Sequence, residues 1–453
     1  MISAIETARA IKAGEIKAGN LVEETLAHIE ADNPKINAFT DVTAERARAE
    51  ARAVDEAVSV GRDPGPLAGV PFAVKNLFDL EGLVTRAGSK IARENSPARR
   101  DADLVERLKA AGGICLGALN MGEFAYDFTG ENAHDGDCCN PHDPSCMTGG
   151  SSSGSGAAVG AGLVPITLGS DTNGSLRVPA SLCGVYSLRP TYGRLSRGGS
   201  FPFVDGLDTV GPFARSLDDL AAVYDVLQGP TNRDHACRNL PPAPISNTAT
   251  DTGQPLRLGV LRGWFETNCD GEALARRDRL LSDLPDGVTL VDINLDQAEF
   301  GRAAAFLMTQ AESSALHLPT LKARATDYDP DTRDRFLAGA LLPAAWAQKA
   351  QIVRKWWLAE ILACFQNVDV LITPATPFAA PKRGQRTILL NGEERPTRPF
   401  LGLLAQPFSA VGLPVVTLPT HQAGESPIGL QVVAAPWREG KAFAAAQLLG
   451  SSA

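Results

Sequence analysis

Apolar residues first recur at helical spacing in Val22, Leu26 and Ile29, and the Ala/Glu/Arg run over 43–58 has high helix propensity, so 2–58 is expected to be helical. The Pro/Gly stretch 61–69 breaks that pattern, and 70–74 follows as a short buried strand that ends at Lys75. An amphipathic helix is expected at 101–111, a strand at 113–119 and a helix at 216–228. Segment 229–254 turns rich in Pro, Asn, Thr and Asp and reads as a surface loop. Further strands are expected at 256–261, 288–293, 368–373, 415–418 and 428–433. Helices are expected at 301–316, at 439–449, and at 331–364 with an interruption near Pro343, which has no N–H to give. Trp356 and Trp357 in that segment read as core. Strand and helix alternate through much of the chain, which implies a layered α/β architecture.

One stretch, 149–196, stands apart from this periodicity. It opens with a loop of Gly and Ser only, 149–156, passes into the small-residue run Ala157-Ala158-Val159-Gly160, and reaches a second small polar turn, Gly169-Ser170-Asp171-Thr172-Asn173-Gly174-Ser175. A flexible linker would not run at once into an apolar helix and strand. A phosphate-cradling loop would close with Gly-Lys-Ser/Thr, and the stretch contains no lysine. Glycines let backbone N–H groups come close to a reacting atom, and the serines add hydroxyls, so serine chemistry is the better reading. Residues 150–154 fit the G-x-S-x-G pattern, but every position there is Gly or Ser and no clear strand leads in, so the match is weak. None of the six histidines lies in these blocks, which leaves a Ser-His-Asp triad open only as a spatial assembly.

Composition narrows the function classes. The chain has 453 residues, 44% hydrophobic, with a formal net charge of −9 and no long basic run, so direct nucleic-acid binding is not expected. No signal peptide precedes the first helix and no run of about 18 apolar residues suggests a membrane span, so a cytoplasmic protein with no membrane partner is expected. The eight scattered cysteines fit no secreted disulfide framework. Cys138, Cys139 and Cys146, with His134 and His142, have no standard zinc spacing and read as free thiols near a surface loop, so no metal is expected.

The motifs resemble those of the amidase signature family. Its first block reads here Gly149-Gly150-Ser151-Ser152-Ser153-Gly154-Ser155-Gly156, with Ser153 where a Gly is usual. Its second reads Gly169-Ser170-Asp171-Thr172-Asn173-Gly174-Ser175-Leu176-Arg177-Val178-Pro179-Ala180, and its lysine marker Gly69-Val70-Pro71-Phe72-Ala73-Val74-Lys75-Asn76. Residues 371–377 and 427–433 match the C-terminal half, so the likeness covers nearly the whole chain. The resemblance implies the family fold, an α/β/α sandwich with a large mixed sheet covered by helices. It implies one domain over 1–453: an N-terminal helical segment (1–60), a signature core (61–230) and a C-terminal half (231–453) that completes the sheet and pocket.

The resemblance also implies a catalytic set. Ser175 is the expected nucleophile, Ser151, on a cis Gly150–Ser151 peptide, the relay, and Lys75 the base. A lysine desolvated inside the protein has a lowered pKa and can take the serine proton as a free amine. Backbone N–H groups of Thr172, Asn173, Gly174 and Ser175 are expected to hold the oxyanion, with Ser152, Asp171 and Arg177 supporting these groups. Tyr126 and Asp127 are expected near the substrate, and Arg398 is a candidate to grip a carboxylate. No cofactor is implied. Within the family, the likeness is to members that hydrolyse 1-carboxybiuret in cyanuric acid degradation. That implies a small ureido substrate, ammonia release, a small helical accessory subunit, and a homodimer or heterotetramer. The alternatives are the amidase component of a tRNA-dependent amidotransferase, a general aliphatic or aromatic amidase, and a non-catalytic relative. Departures cluster at 127–148 and at Ser153, where a side chain is expected to crowd the loop.

Overall fold

The computed structural model describes residues 3–246, 256–285 and 287–450. Its strands are β1 (Phe39–Val42), β2 (Pro71–Lys75), β3 (Ile114–Leu119), β4 (Ile166–Asp171), β5 (Tyr186–Arg189), β6 (Thr209–Ala214) and β7 (Arg257–Arg262). They continue with β8 (Thr289–Asn294), β9 (Val370–Pro374), β10 (Thr387–Leu390), β11 (Glu393–Pro396), β12 (Val415–Pro419) and β13 (Gly429–Ala434). Eleven of them form one mixed sheet in the order β1-β3-β2-β4-β6-β5-β12-β13-β9-β7-β8, and β10 and β11 form a separate hairpin. Every residue of β2, β3, β4, β6, β9 and β13 is buried, because helices cover both faces of the sheet's centre. The result is the α/β sandwich expected from the sequence.

Most expected elements form within a few residues of their predicted ends. The N-terminal region, whose first two residues lie outside the described part, holds helices Ala4–Lys12, Ala18–Ile36 and Ala44–Ser59. Between the last two, β1 forms, antiparallel to β3, where only helix was expected. Its four residues are too short to display a period, and pairing with β3 defines them. Strands β5 and β6 were also not singled out. Pro212 interrupts β6, a residue that argues against an interior strand, yet β6 lies between β4 and β5. The expected loop 229–254 is described only to residue 246.

The helix expected at 301–316 runs over Ala298–Arg324, through Pro319. The break near Pro343 separates helices Pro330–Ala340 and Ala344–Cys364. In the second, Trp357 is fully buried and its Nε1 donates to the Pro407 carbonyl at 2.8 Å. Trp346 and Ile352 stay exposed on the same helix. No helix of the described residues is long and apolar enough to cross a membrane.

Candidate active site

Strand register assembles the centre of the site. β2 and β4 are parallel neighbours with Val74 beside Leu168, which sets Lys75 level with the Gly169-Ser170 end of β4. Lys75 is completely buried, and its Nζ lies 2.8 Å from Ser151 Oγ, 3.0 Å from Ser152 Oγ and 2.9 Å from Ser170 Oγ. The Gly150–Ser151 peptide is cis. The loop then enters helix Ser153–Gly160, where Gly154 packs so tightly that a Cβ would sit 2.4 Å from the Ala38 carbonyl oxygen.

Proton counting gives this cluster a direction. Ser152 donates its single hydroxyl proton to the Ser170 carbonyl at 3.0 Å, so it can only accept from Lys75. A neutral amine has two N–H groups, which Ser152 and Ser170 can take, and one lone pair left for the Ser151 hydroxyl. Burial supplies that neutral form: it lowers the Lys75 pKa from 10.5 to about 7, against the opposing pull of Asp171, Asp208 and Asp127. Ser152, expected only as support, therefore touches the lysine directly. Ser170 does the same and was not singled out, although it stands in the Gly-Ser-Asp of the second motif.

The turn carrying Ser175 is fixed by Asp171. Its Oδ1 accepts from the Gly174 N–H at 2.8 Å and its Oδ2 from the Leu176 N–H at 3.2 Å. The same carboxylate pairs with Arg177 at 3.0 Å and Arg189 at 2.7 Å, all three side chains being fully buried. Burial alone would raise the Asp171 carboxyl, but the two guanidiniums outweigh it and hold it well below the usual carboxylate range. The Gly174 amide is thus committed to Asp171, which corrects its expected place among the oxyanion donors. The N–H groups of Thr172, Asn173 and Ser175 have no partner among the described residues. Thr172 Oγ1 donates to Asp208 Oδ1 at 2.6 Å and Asn173 Nδ2 to Thr309 Oγ1 at 2.7 Å, so both ends of the turn are anchored. Asp208 and Thr309 carry no sequence signal of this role, since each lies over 30 residues from the motif it braces.

The expected substrate-side residues gather differently from the expectation. Tyr126 is buried, and its hydroxyl accepts from Gln310 Nε2, the neighbour of Thr309 on helix Ala298–Arg324. Asp127 instead caps its own loop, accepting from the Thr129 N–H at 2.8 Å and the Gly130 N–H at 2.6 Å. Arg398 already faces two carboxylates. It lies 2.7 Å from Asp331 and 3.2 Å from Asp127. The guanidinium beside Tyr126 that has no ion pair among the described residues is Arg335, whose carbon sits 4.0 Å from the Tyr126 ring centre and whose Nε donates to the Asp331 carbonyl at 2.7 Å. It was missed because one arginine in the Arg-rich run 333–335 has no distinguishing pattern.

The departures at 127–148 and Ser153 compensate each other. Gly130, at φ +89°, brings its Cα face against Ser153, where a Cβ would lie 3.3 Å from the Ser153 Cβ. A side chain at 153 is thus met by a glycine opposite, and Ser153 begins a regular helix without the crowding expected. The nearby thiols and imidazoles turn to separate partners: His134 to Glu123 at 3.0 Å, His142 to the Cys183 carbonyl at 3.0 Å, and Cys146 to Asp143 at 3.3 Å.

Known proteins resemble this chain in sequence and fold. Residues 20–442 match the family described as Amidase. The chain is 50% identical to AtzE, the 1-carboxybiuret hydrolase subunit of Pseudomonas sp. (strain ADP), over 98% of this chain and 97% of that protein. It is 36% identical to a glutamyl-tRNA(Gln) amidotransferase subunit of Synechococcus sp. (strain WH7803), over 93% and 91% of the two chains. A solved structure of a protein complex bearing on the origins of an s-triazine catabolic enzyme superposes with TM-score 0.96 at 48% identity, over 100% of this chain and 98% of that one. The 6-aminohexanoate cyclic dimer hydrolase superposes with TM-score 0.86 at 28% identity, over 100% and 97%. With a match of this extent and a buried lysine–serine centre, the chain belongs to the amidase signature family and is a hydrolase acting on amide C–N bonds.

Proposed function

We propose that this protein hydrolyses a small ureido amide of the 1-carboxybiuret type, releasing ammonia through an acyl-enzyme on Ser175. The observation that carries the mechanism is the 2.8 Å contact between the buried Lys75 amine and Ser151. Lys75 takes the Ser151 proton, Ser151 takes that of Ser175, and the Ser175 oxygen attacks the amide carbonyl. The negative charge that develops there meets the unused N–H groups of Thr172, Asn173 and Ser175, donors worth roughly 3 kcal/mol each. The proton returns through Ser151 to the departing nitrogen, and water releases the acyl group by the same path. Arg335 is assigned the substrate carboxylate, since its guanidinium is held against Tyr126 without an ion pair among the described residues.

The relation to AtzE supports this substrate, and that relative is one component of a larger hydrolase. We propose that this chain likewise works in a complex, with a small helical accessory protein and a homodimer or heterotetramer as its assembly. Exposed Leu341, Trp346 and Ile352 on the outer helices support a partner surface. A single domain over 1–453 and a cytoplasmic setting complete the proposal, the latter supported by eight free thiols. The test is ammonia release from 1-carboxybiuret, biuret, glutamine and aromatic amides, with Ser175→Ala as control. Release from 1-carboxybiuret that the substitution abolishes is expected. Release from glutamine alone would favour the amidotransferase reading, and from aromatic amides alone a general amidase.

A further inference from the structure

The turn before the proposed nucleophile holds a polar atom that the cycle above leaves unused. Asn173 is only 7% exposed, and its Nδ2 donates to Thr309 Oγ1 at 2.7 Å. Thr309 in turn donates to the Ala305 carbonyl at 2.8 Å, one helical turn back. A hydroxyl has one proton, so with it committed to Ala305, Thr309 can only accept from Asn173. That fixes the orientation of the amide: its NH2 faces the helix and its carbonyl faces away. Asn173 Oδ1 is buried and has no donor among the described residues. A buried carbonyl without a donor is costly in the free protein, and a ligand N–H removes that cost.

We propose that Asn173 Oδ1 is a specificity determinant that accepts the retained N–H of a ureido substrate. This rests on the reading of Ser175 as nucleophile, two residues further along the same turn. In a ureido group the attacked carbonyl has nitrogen on both sides: one leaves as ammonia and the other keeps its N–H through the acyl-enzyme. The turn then offers N–H donors to the oxygen and a carbonyl acceptor to the retained nitrogen. A simple amide places a CH2 at that position and leaves Oδ1 unpaired. Selection between the two comes from that unpaired atom, since a site built to bond a polar group discriminates strongly against an analogue lacking it.

Biuret and malonamide test this, because they differ only by N–H against CH2 between the two carbonyls. In the wild-type enzyme kcat/KM is expected to favour biuret. Asn173→Ala is expected to lower the biuret-to-malonamide ratio of kcat/KM about 10- to 100-fold. Thr309→Val, which frees the amide to rotate, shifts the ratio in the same direction by less. Asn173→Ala keeps the backbone N–H of the turn, so a loss common to both compounds cancels in their ratio. Parallel losses on both compounds, or an unaffected biuret rate, overturn the proposal. Turnover of biuret without 1-carboxybiuret would remove the substrate reading while the Asn173 ratio still decides this one. Where neither compound is turned over, their affinities for the Ser175→Ala protein, with and without Asn173→Ala, are compared by calorimetry. Equal affinities, or no binding of biuret, also overturn it.

Discussion

Replacing Lys75 with Met tests the electrostatic basis of the site without relying on catalysis. The folded-state pKa of Lys75 is lowered to about 7 from 10.5 because burial disfavours the ammonium. Between these values the unfolded chain holds a proton that the folded chain has released, so stability rises with pH across this window. Relative to high pH, the lysine costs the folded state about 4 kcal/mol at pH 7 and about 2 kcal/mol at pH 9. Met has similar length and no charge, and removes that cost. It also leaves the hydroxyls of Ser151, Ser152 and Ser170 without the amine, a loss that does not vary over this range. The absolute stability change mixes both effects, while its pH dependence isolates the lysine. Urea unfolding followed by tryptophan fluorescence, with refolding verified, is expected to show wild type gaining about 2 kcal/mol on Lys75→Met between pH 7 and pH 9. A constant difference between the two proteins from pH 6 to 9.5 would refute a neutral buried amine, and with it the proposed base.

The same pKa sets the rate profile: kcat/KM is expected to rise with pH through about 7, as the free amine forms, and a profile flat from pH 6 to 8.5 would contradict it. Asp171→Asn leaves two buried guanidiniums under-compensated and is expected to cost about 3–5 kcal/mol in urea unfolding, with slower fluorophosphonate labelling because the Ser175 turn loosens. Arg335→Ala is expected to raise KM for the anionic ureido substrate about 10- to 100-fold while leaving neutral amides within about threefold, read from initial rates. Gly130→Ala meets Thr148 Oγ1 at 2.0 Å and a φ of +89°, so a loss of at least about 2 kcal/mol is expected on the same urea assay.

Much of the chemistry was legible in the chain because it is local. Lys75, Ser151, Asp171 and Ser175 stand in contiguous motifs that carry the family resemblance, and it was that resemblance, not the apolar strand by itself, that placed the lysine inside. Helices with a full apolar face, such as Asp103–Ala110 and Leu217–Leu227, follow from spacing alone. Strands β1 and β6 did not, since one is four residues long and the other carries Pro212; neighbouring strands, not intrinsic preference, define them.

What only the tertiary structure decided is pairing. An arginine's chemistry depends on whether a carboxylate has already claimed it, and claims are made by residues distant in sequence. Arg398 is taken by Asp127 and Asp331, over 250 and over 60 residues away, while Arg335 is left against Tyr126. The Gly174 amide is likewise spent on Asp171, and Asn173 is oriented by Thr309 from the helix Ala298–Arg324. Residue type and motif determined the lysine and serines of the centre and the turn beside them, but not Asp208, Thr309 or Arg335 around them. Burial and register determined their protonation and which of their hydrogen-bonding atoms remain free, because desolvation and distance are properties of the folded chain alone.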